Sequence, residues 1–198
     1  MATRLVVLLV ALLLVAPASA YAATVHIRVE GKTRTLFGPT EITVDATTPL
    51  QALQEAAVMG EFYYHVTQSA YGPYVDQIGL YPGAGDSGWG YKVDNASPPV
   101  AADQDTLKDG DTVLWYWATF GSTGGPPTLQ LNASGADCYT VAAYGDNGKP
   151  AAVSGLALHV GGSKTVPATL NAKVCVAPHK GLLVRATATN AVRSNALA

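Results

Sequence analysis

Charged residues are scarce in this chain of 198 residues: Asp, Glu, Lys and Arg together make up only 13% of it. Methionine and cysteine occur twice each, whereas glycine occurs 20 times. A low charge content with frequent glycine and little methionine is typical of β-rich exported proteins.

The sequence also lacks a second long apolar run. The one run, over residues 5–15, follows Arg4 and is followed by small residues. It is shorter than the roughly 20 residues that a membrane-spanning helix needs, so a retained anchor helix is the less favoured alternative. The pattern predicts a secretory signal peptide over residues 1–20, cleaved after Ala20 or, alternatively, after Ala22. We therefore expect a secreted protein, extracellular or on the cell surface, with no membrane span in the mature chain.

The two cysteines, Cys138 and Cys175, lie in the second half of the chain. An exported protein with two cysteines is expected to join them as a disulfide. Closing a loop of roughly 38 residues would stabilise the folded protein by about 4 kcal/mol, because the bond reduces the conformational entropy of the unfolded chain. A redox or metal-binding pair is the alternative, but the spacing is not Cys-x-x-Cys.

Charge divides the chain into two parts. Residues 24–121 carry 5 basic and 12 acidic residues, a net charge of −7, whereas residues 122–198 carry 6 and 2, a net charge of +4. The segment 122–127, rich in Gly and Pro, is typical of a linker. We therefore predict domains at 24–121 and 128–198. An acidic first domain does not favour nucleic acid as a partner.

All three tryptophans fall in two aromatic segments, 88–94 and 107–117. Side chains alternate between the two faces of a strand, and in each segment three apolar or aromatic side chains share one face: Trp89, Tyr91 and Val93 in the first, and Val113, Trp115 and Trp117 in the second. These segments predict two strands, each with one face of apolar and aromatic side chains.

Upstream, residues 25–30 alternate apolar and polar side chains, which predicts a half-buried strand. Thr48 and Pro49 then suit the N-cap and first position of a helix ending near Gly60. Its apolar stripe is expected to comprise Leu50, Leu53, Ala57 and Val58. Further strands complete the order strand–strand–helix–strand–strand–strand, which predicts an α+β β-grasp domain.

Four segments between residues 24 and 120 resemble the transcobalamin-like C-terminal domain: 50–57, 72–78, 88–94 and 107–116. The Gly-Trp-x-x-x-Val-Asp element followed by Leu-x-x-Gly-Asp-x-Val-x-Trp carries most of the resemblance. It implies a β-grasp fold and, by analogy with the vitamin B12 carriers, a corrinoid ligand capped against a helical barrel. This sequence has no helical barrel, and Asp94-Asn95 stands where the family usually has Asn-Gly. Bacterial members are commonly exported proteins of unestablished function.

The resemblance places the ligand near the first aromatic strand, under a loop rich in Tyr, Gly and Pro. We predict ligand contacts from Tyr71, Tyr74, Tyr81, Trp89 and Tyr91. Trp89 begins its strand after a flexible loop and is expected to be the most exposed tryptophan, whereas Trp115 is the better core candidate. The alternative is that these aromatic residues form the core of a small domain or are half-buried.

The sequence shows no catalytic constellation and no metal-ligand set. A calcium site is one interpretation of the four closely spaced aspartates, Asp103, Asp105, Asp109 and Asp111. Their spacing does not match the EF-hand pattern, and aspartates are also common in turns. The four histidines are scattered, without ligand spacing. We therefore expect no catalytic residues, no resident cofactor and no metal.

From Thr128 onward, short apolar segments alternate with turns rich in Gly, Pro, Asn and Asp. This spacing predicts a small all-β sandwich domain of immunoglobulin-like or transthyretin-like type. The complete prediction is a β-grasp domain followed by that sandwich. The expected function is non-catalytic binding of a small molecule, a glycan or a surface protein. A structural role in the cell envelope and, less favoured, a hydrolase are the alternatives.

Overall fold

The structure, a computed structural model, describes residues 21–70 and 72–198. The predicted signal peptide lies outside these residues. The described residues up to 121 form one helix and seven strands: β1 (Ala23–Glu30), β2 (Thr35–Ala46), α1 (Pro49–Gly60), β3 (Tyr64–Ser69), β4 (Gly72–Ile78), β5 (Tyr81–Pro82), β6 (Ser87–Val93) and β7 (Thr112–Thr119).

These strands form two sheets. The larger has the order β2-β1-β7-β6, in which β1 and β7 run parallel and the other neighbours are antiparallel. Strands β3, β4 and β5 form a separate sheet. One apolar core lies among the main sheet, α1 and β4, and it includes Ile27, Leu53, Val75 and Trp115.

The helix begins as predicted. The hydroxyl of Thr48 accepts a hydrogen bond from the backbone N–H of Gln51, and Pro49 occupies the first turn. Leu53 and Ala57 are buried, but Val58 is 76% exposed, so its place in the predicted stripe is wrong. Val58 directly follows Ala57, and one residue further along a helix turns the side chain by about 100°.

The predicted fold class is wrong. Strands account for 51% of the structure and helix for only 7%, and the strands divide into several small sheets rather than forming an α+β β-grasp domain followed by a sandwich. The order of elements along the chain was read correctly in outline, but it does not specify which strands pair. Strands β3 to β5 hydrogen-bond to one another and stay apart from the main sheet.

The second half is built from strands, with no helix between residues 128 and 198. They are β8 (Thr128–Ala133), β9 (Cys138–Tyr144), β10 (Ser154–Val160), β11 (Lys164–Pro167), β12 (Val174–Cys175), β13 (Val184–Thr189) and β14 (Ala196–Leu197). They form sheets of order β11-β10-β13-β14 and β12-β9-β8, which share a core containing Leu131, Val141, Leu158 and Val184.

The predicted disulfide is confirmed. Cys138 and Cys175 face each other across the pairing of β9 with β12, and their sulfur atoms are bonded. No unpaired cysteine remains in the chain. The bond holds the short strand β12 on the edge of its sheet.

A buried ion cluster joins the two halves. Glu30, at the end of β1, is 1% exposed. Its carboxylate accepts hydrogen bonds from Arg28 at 3.0 Å and from Nε of Arg193 at 3.0 Å, and it lies 3.9 Å from Arg185. Arg185 also donates a hydrogen bond to Thr35. The last residues of β1 are therefore covered on both faces, since Arg28 and Glu30 meet the second half rather than water.

Two further contacts reinforce this junction. Lys92, buried on the same side of the main sheet, places its ammonium 3.3 Å from a carboxylate oxygen of Asp146. A small apolar cluster joins Tyr116 of β7 to Val192. The division into two domains at 122–127 stays a prediction, and the structure adds that the two parts share buried polar and apolar contacts.

Within the described residues, no helix has the length and hydropathy that crossing a membrane requires.

We predict that Glu30→Gln lowers the free energy of unfolding by about 3–5 kcal/mol, because it leaves several buried or half-buried guanidinium groups without their counter-charge. Urea denaturation at neutral pH measures the change. Glu55→Gln is the matched control, because Glu55 is exposed on α1 and its loss should change stability by less than about 0.5 kcal/mol. Equal effects of the two variants on the free energy of unfolding would show that the Glu30 cluster contributes nothing to stability.

Candidate functional site

The two aromatic segments pair as adjacent antiparallel strands. Trp89 of β6 lies opposite Trp117 of β7, and Tyr91 lies opposite Trp115. Cross-strand partners project from the same face of a sheet, so the aromatic face predicted for each strand is confirmed, and the pairing joins the two faces into one. The rings of Tyr91 and Trp115 are 5.4 Å apart, centre to centre.

A cavity of about 230 Å³ opens over this face. The described residues around it carry no charged side chain and come from β3, β4, β6, β7 and a bend before residue 103: Ser69, Gly72, Pro73, Tyr74, Val75, Trp89, Tyr91, Ala101, Ala102 and Trp115. Four aromatic rings therefore surround one small apolar space.

Hydrogen bonds to backbone carbonyls fix three of these rings. The indole N–H of Trp89 donates to the carbonyl of Tyr81 at 2.8 Å, and that of Trp115 donates to the carbonyl of Pro49 at 3.0 Å. The hydroxyl of Tyr91 donates to the carbonyl of Val100 at 2.7 Å. A cavity walled by rings held in this way is largely formed before any ligand arrives.

The expected exposure of the tryptophans is only partly right. Trp115 is 2% exposed and belongs to the core, as predicted. Trp89 is 4% exposed, so the prediction that it would be the most exposed tryptophan is wrong. The half-buried one is Trp117, the cross-strand partner of Trp89. Residues of β4 pack in the same core as Trp89, and the local sequence around Trp89 does not show this cover.

The structure brings together three of the five predicted contact residues. Tyr74, Trp89 and Tyr91 line the cavity, and Tyr74 is 45% exposed. Tyr81 is not among the lining residues. Its hydroxyl hydrogen-bonds to that of Thr33 at 2.8 Å instead. Tyr71 lies outside the described residues.

Sequence reasoning missed several residues of this wall. Ser69 and the pair Ala101-Ala102 reach the cavity from segments without aromatic character, and Trp115 was assigned to the core alone. Small residues carry no compositional signal for a binding site, so nothing in their local sequence could have identified them. Alternation placed Trp115 on the aromatic face of its strand, but the register that brings it beside Tyr91 comes from the pairing of β6 with β7.

The cavity is neutral at physiological pH, with acidic residues nearby. Burial, and then the negative charges of Asp105 and Asp103, raise the pKa of Tyr91 to about 12. Burial also raises the pKa of Asp105. The phenol of Tyr91 therefore stays protonated and remains a hydrogen-bond donor.

The carboxylates considered for calcium do not assemble into a site. No group of three or more His, Cys, Asp or Glu side chains suited to a metal ion occurs in the part of the chain that the structure describes. Asp109 accepts a hydrogen bond from the backbone N–H of Thr24, and Asp111 accepts one from that of Lys108. Asp111 therefore closes a local turn, and Asp109 holds the beginning of β1.

His65 and Asp76 form a close pair on the surface, with 2.7 Å between Nδ1 and a carboxylate oxygen. Thr67 donates a hydrogen bond to the second oxygen of the same carboxylate. This hydrogen bond, followed in importance by the contact with His65, lowers the pKa of Asp76. Both partners are substantially exposed, so the pair is a solvated cross-strand contact between β3 and β4.

The protein family described as a domain of unknown function (DUF4430) matches residues 47–119 of this chain. The matched segment runs from the residue before the N-cap of α1 to the end of β7, and it contains every described residue that lines the cavity. The match covers less than half of the chain and leaves out β1, β2 and the second half. No curated protein matches the sequence.

Because Trp89 and Trp115 are equally buried, we predict that Trp89→Ala and Trp115→Ala each lower the free energy of unfolding by about 3–5 kcal/mol. Trp117→Ala is the comparison variant and should cost clearly less, since this side chain is only half-buried. Chemical denaturation of all three variants measures the difference. A Trp89→Ala protein as stable as the parent would contradict the buried position of this ring.

The raised pKa of Tyr91 predicts a pH dependence. A folded-state pKa of about 12, above the ordinary value of 10.0, means that the folded protein holds this proton more tightly than the unfolded chain. The resulting stabilisation is fully present below pH 10.0 and is lost as the pH rises toward 12. Tyr91→Phe should therefore lose less stability than the parent between these two pH values.

Urea denaturation at several alkaline pH values measures this difference. Tyr63→Phe is the matched control, because Tyr63 is exposed and its loss should leave the alkaline slope unchanged. The raised pKa would be refuted by parallel pH profiles for the parent and Tyr91→Phe.

Proposed function

We propose that this chain is an exported, non-catalytic binding protein whose contact module lies within residues 24–121. One observation carries the proposal: Tyr74, Trp89, Tyr91 and Trp115 surround a single apolar cavity that opens at the surface beside the half-exposed ring of Tyr74. Concave, largely apolar sites with a few fixed polar groups are the usual form of a small-molecule site.

The size of the cavity restricts the ligand. About 230 Å³ is less than the roughly 300–1,000 Å³ of a site that encloses a drug-sized molecule. The cavity therefore takes one ring or one apolar side chain, and the rest of the ligand lies outside on the protein surface. A small molecule, a glycan end or a side chain of a surface protein fits this description.

A corrinoid is the specific candidate that the transcobalamin-like resemblance suggests. Such a ligand is much larger than the cavity, so this chain would contact only one edge of it. In the vitamin B12 carriers a helical barrel holds the rest of the ligand, whereas the described residues of this chain contain the single helix α1. Binding of a corrinoid would then require a second protein surface, or would be weak.

The export proposal depends on residues 1–20. N-terminal sequencing of protein secreted by cells that express the full chain would test it. The expected first residue of the mature protein is Tyr21 or Ala23, following cleavage after Ala20 or Ala22. Recovery of the uncleaved chain inside the cells alone would contradict it.

The binding proposal is tested by titrating the protein with cyanocobalamin, dicyanocobinamide and a panel of neutral oligosaccharides, followed by tryptophan fluorescence. We expect at least one of these probes to bind with a saturable change in fluorescence. The Tyr74→Ala variant should bind that probe about tenfold more weakly, or weaker still. Tyr74 lines the cavity and is exposed enough for its loss to leave the fold intact.

Tyr63→Ala is the matched control, because Tyr63 is exposed at 58% and lies outside the cavity wall. It should bind as the parent does. Failure of every probe, or equal losses for the two variants, would overturn the assignment of the cavity and favour the structural role in the cell envelope.

A further inference from the structure

A second, larger cleft lies where the two halves of the chain meet. Its volume is about 460 Å³. The first half contributes the turn that carries Lys32 and the end of β7 with Trp117, and the second half contributes Pro126, Asn190 and Arg193. Neither half forms this cleft alone, and the cavity over Trp89 and Tyr91 lies elsewhere on the main sheet.

Trp117 provides an aromatic surface in this cleft. The ring packs against the main core but stays half-buried. The ammonium of Lys32 lies 5.0 Å from the centre of the ring, and the Lys32 side chain is exposed and therefore free to move. The indole N–H of Trp117 is buried and has no hydrogen-bond acceptor. A buried donor without an acceptor costs free energy. Movement of the Lys32 side chain would uncover the face of the indole for a ligand.

The electrostatics of the cleft favour an anion. Behind it, Arg28, Arg185 and Arg193 face two carboxylates, those of Glu30 and Glu41. One positive charge is therefore left over in the cluster, and Lys32 at the rim adds a second. Charges of one sign lining a cleft attract ligands of the opposite sign.

Two backbone features position the polar groups of the cleft. Arg193 donates a hydrogen bond to the carbonyl of Gly31 at 2.7 Å and so fixes the turn that carries Lys32. Asn190 is exposed at the end of β13 in a left-handed conformation, with φ at 53°, which asparagine tolerates well. Its amide offers both a donor and an acceptor at the rim.

We propose that this cleft binds an acidic saccharide, a sugar ring that carries a carboxylate. In the complex the Lys32 side chain moves off the indole, and the apolar face of the sugar ring takes its place on Trp117. The carboxylate of the sugar meets the displaced ammonium of Lys32, and the amide of Asn190 hydrogen-bonds to the sugar hydroxyls. The aromatic face, the cation and the amide match the apolar ring face, the carboxylate and the hydroxyls of such a ligand. The site is independent of the proposed function, because it uses neither Tyr74 nor the cavity around it.

The test uses the full mature chain and trigalacturonate as the probe, with calorimetric titration as the readout. We expect saturable binding that is at least tenfold tighter than binding of neutral galactotriose and that weakens as salt is raised. Lys32→Gln should reduce the affinity about fivefold or more, and Trp117→Ala more than tenfold. Circular dichroism verifies that each variant is folded.

Lys108→Gln is the matched control for charge, since Lys108 is exposed and outside the cleft, and it should bind as the parent does. Tyr74→Ala should also bind trigalacturonate normally, which separates this site from the first cavity. The proposal would be overturned if trigalacturonate showed no saturable binding or bound no more tightly than galactotriose. It would also be overturned if benzoate, a carboxylate without a sugar ring, bound more tightly than trigalacturonate. A Lys32→Gln protein that binds like the parent would overturn it as well.

Discussion

The carboxylate of Glu30 and the arginines around it are the contact on which the arrangement of this protein depends. Glu30 ends β1, whereas Arg185 and Arg193 come more than 150 positions later in the chain. A carboxylate withdrawn from water is tolerable only with charged partners in good geometry. The end of β1 can therefore be buried on both faces only while the second half of the chain is docked, and the docked halves create the cleft at Trp117.

Strand β7 connects the functional features. One face carries Val113, Trp115 and Trp117 and contributes to the main core, while the other carries Leu114, Tyr116 and Ala118 and meets the second half. Trp115 lines the first cavity from the middle of the strand, and Trp117 lines the cleft nearer its end. Two candidate sites with different chemistry, one neutral and one cationic, thus share a rigid central strand.

Two of the wrong expectations about burial have one physical origin. Residues 25–30 alternate apolar and polar side chains as a half-exposed strand does, yet Arg28 and Glu30 are buried because the second half covers them. Trp89 follows a glycine-rich loop as an exposed residue would, yet it is buried in a core shared with β4. In each case the cover comes from a segment remote in sequence, and periodicity describes only the strand on which it is observed.

The sequence alone determined the local features: the cap of α1 by Thr48, the aromatic face of each of the strands β6 and β7, and the pairing of the two cysteines. These depend on backbone geometry over a few residues or on a count that allows one pairing. The tertiary structure decided which strands share a sheet, which tryptophan stays half-exposed, and that Arg193 lies beside Lys32 in one cleft. Those outcomes depend on the burial of surface and charge between distant segments, which no local pattern in the sequence specifies.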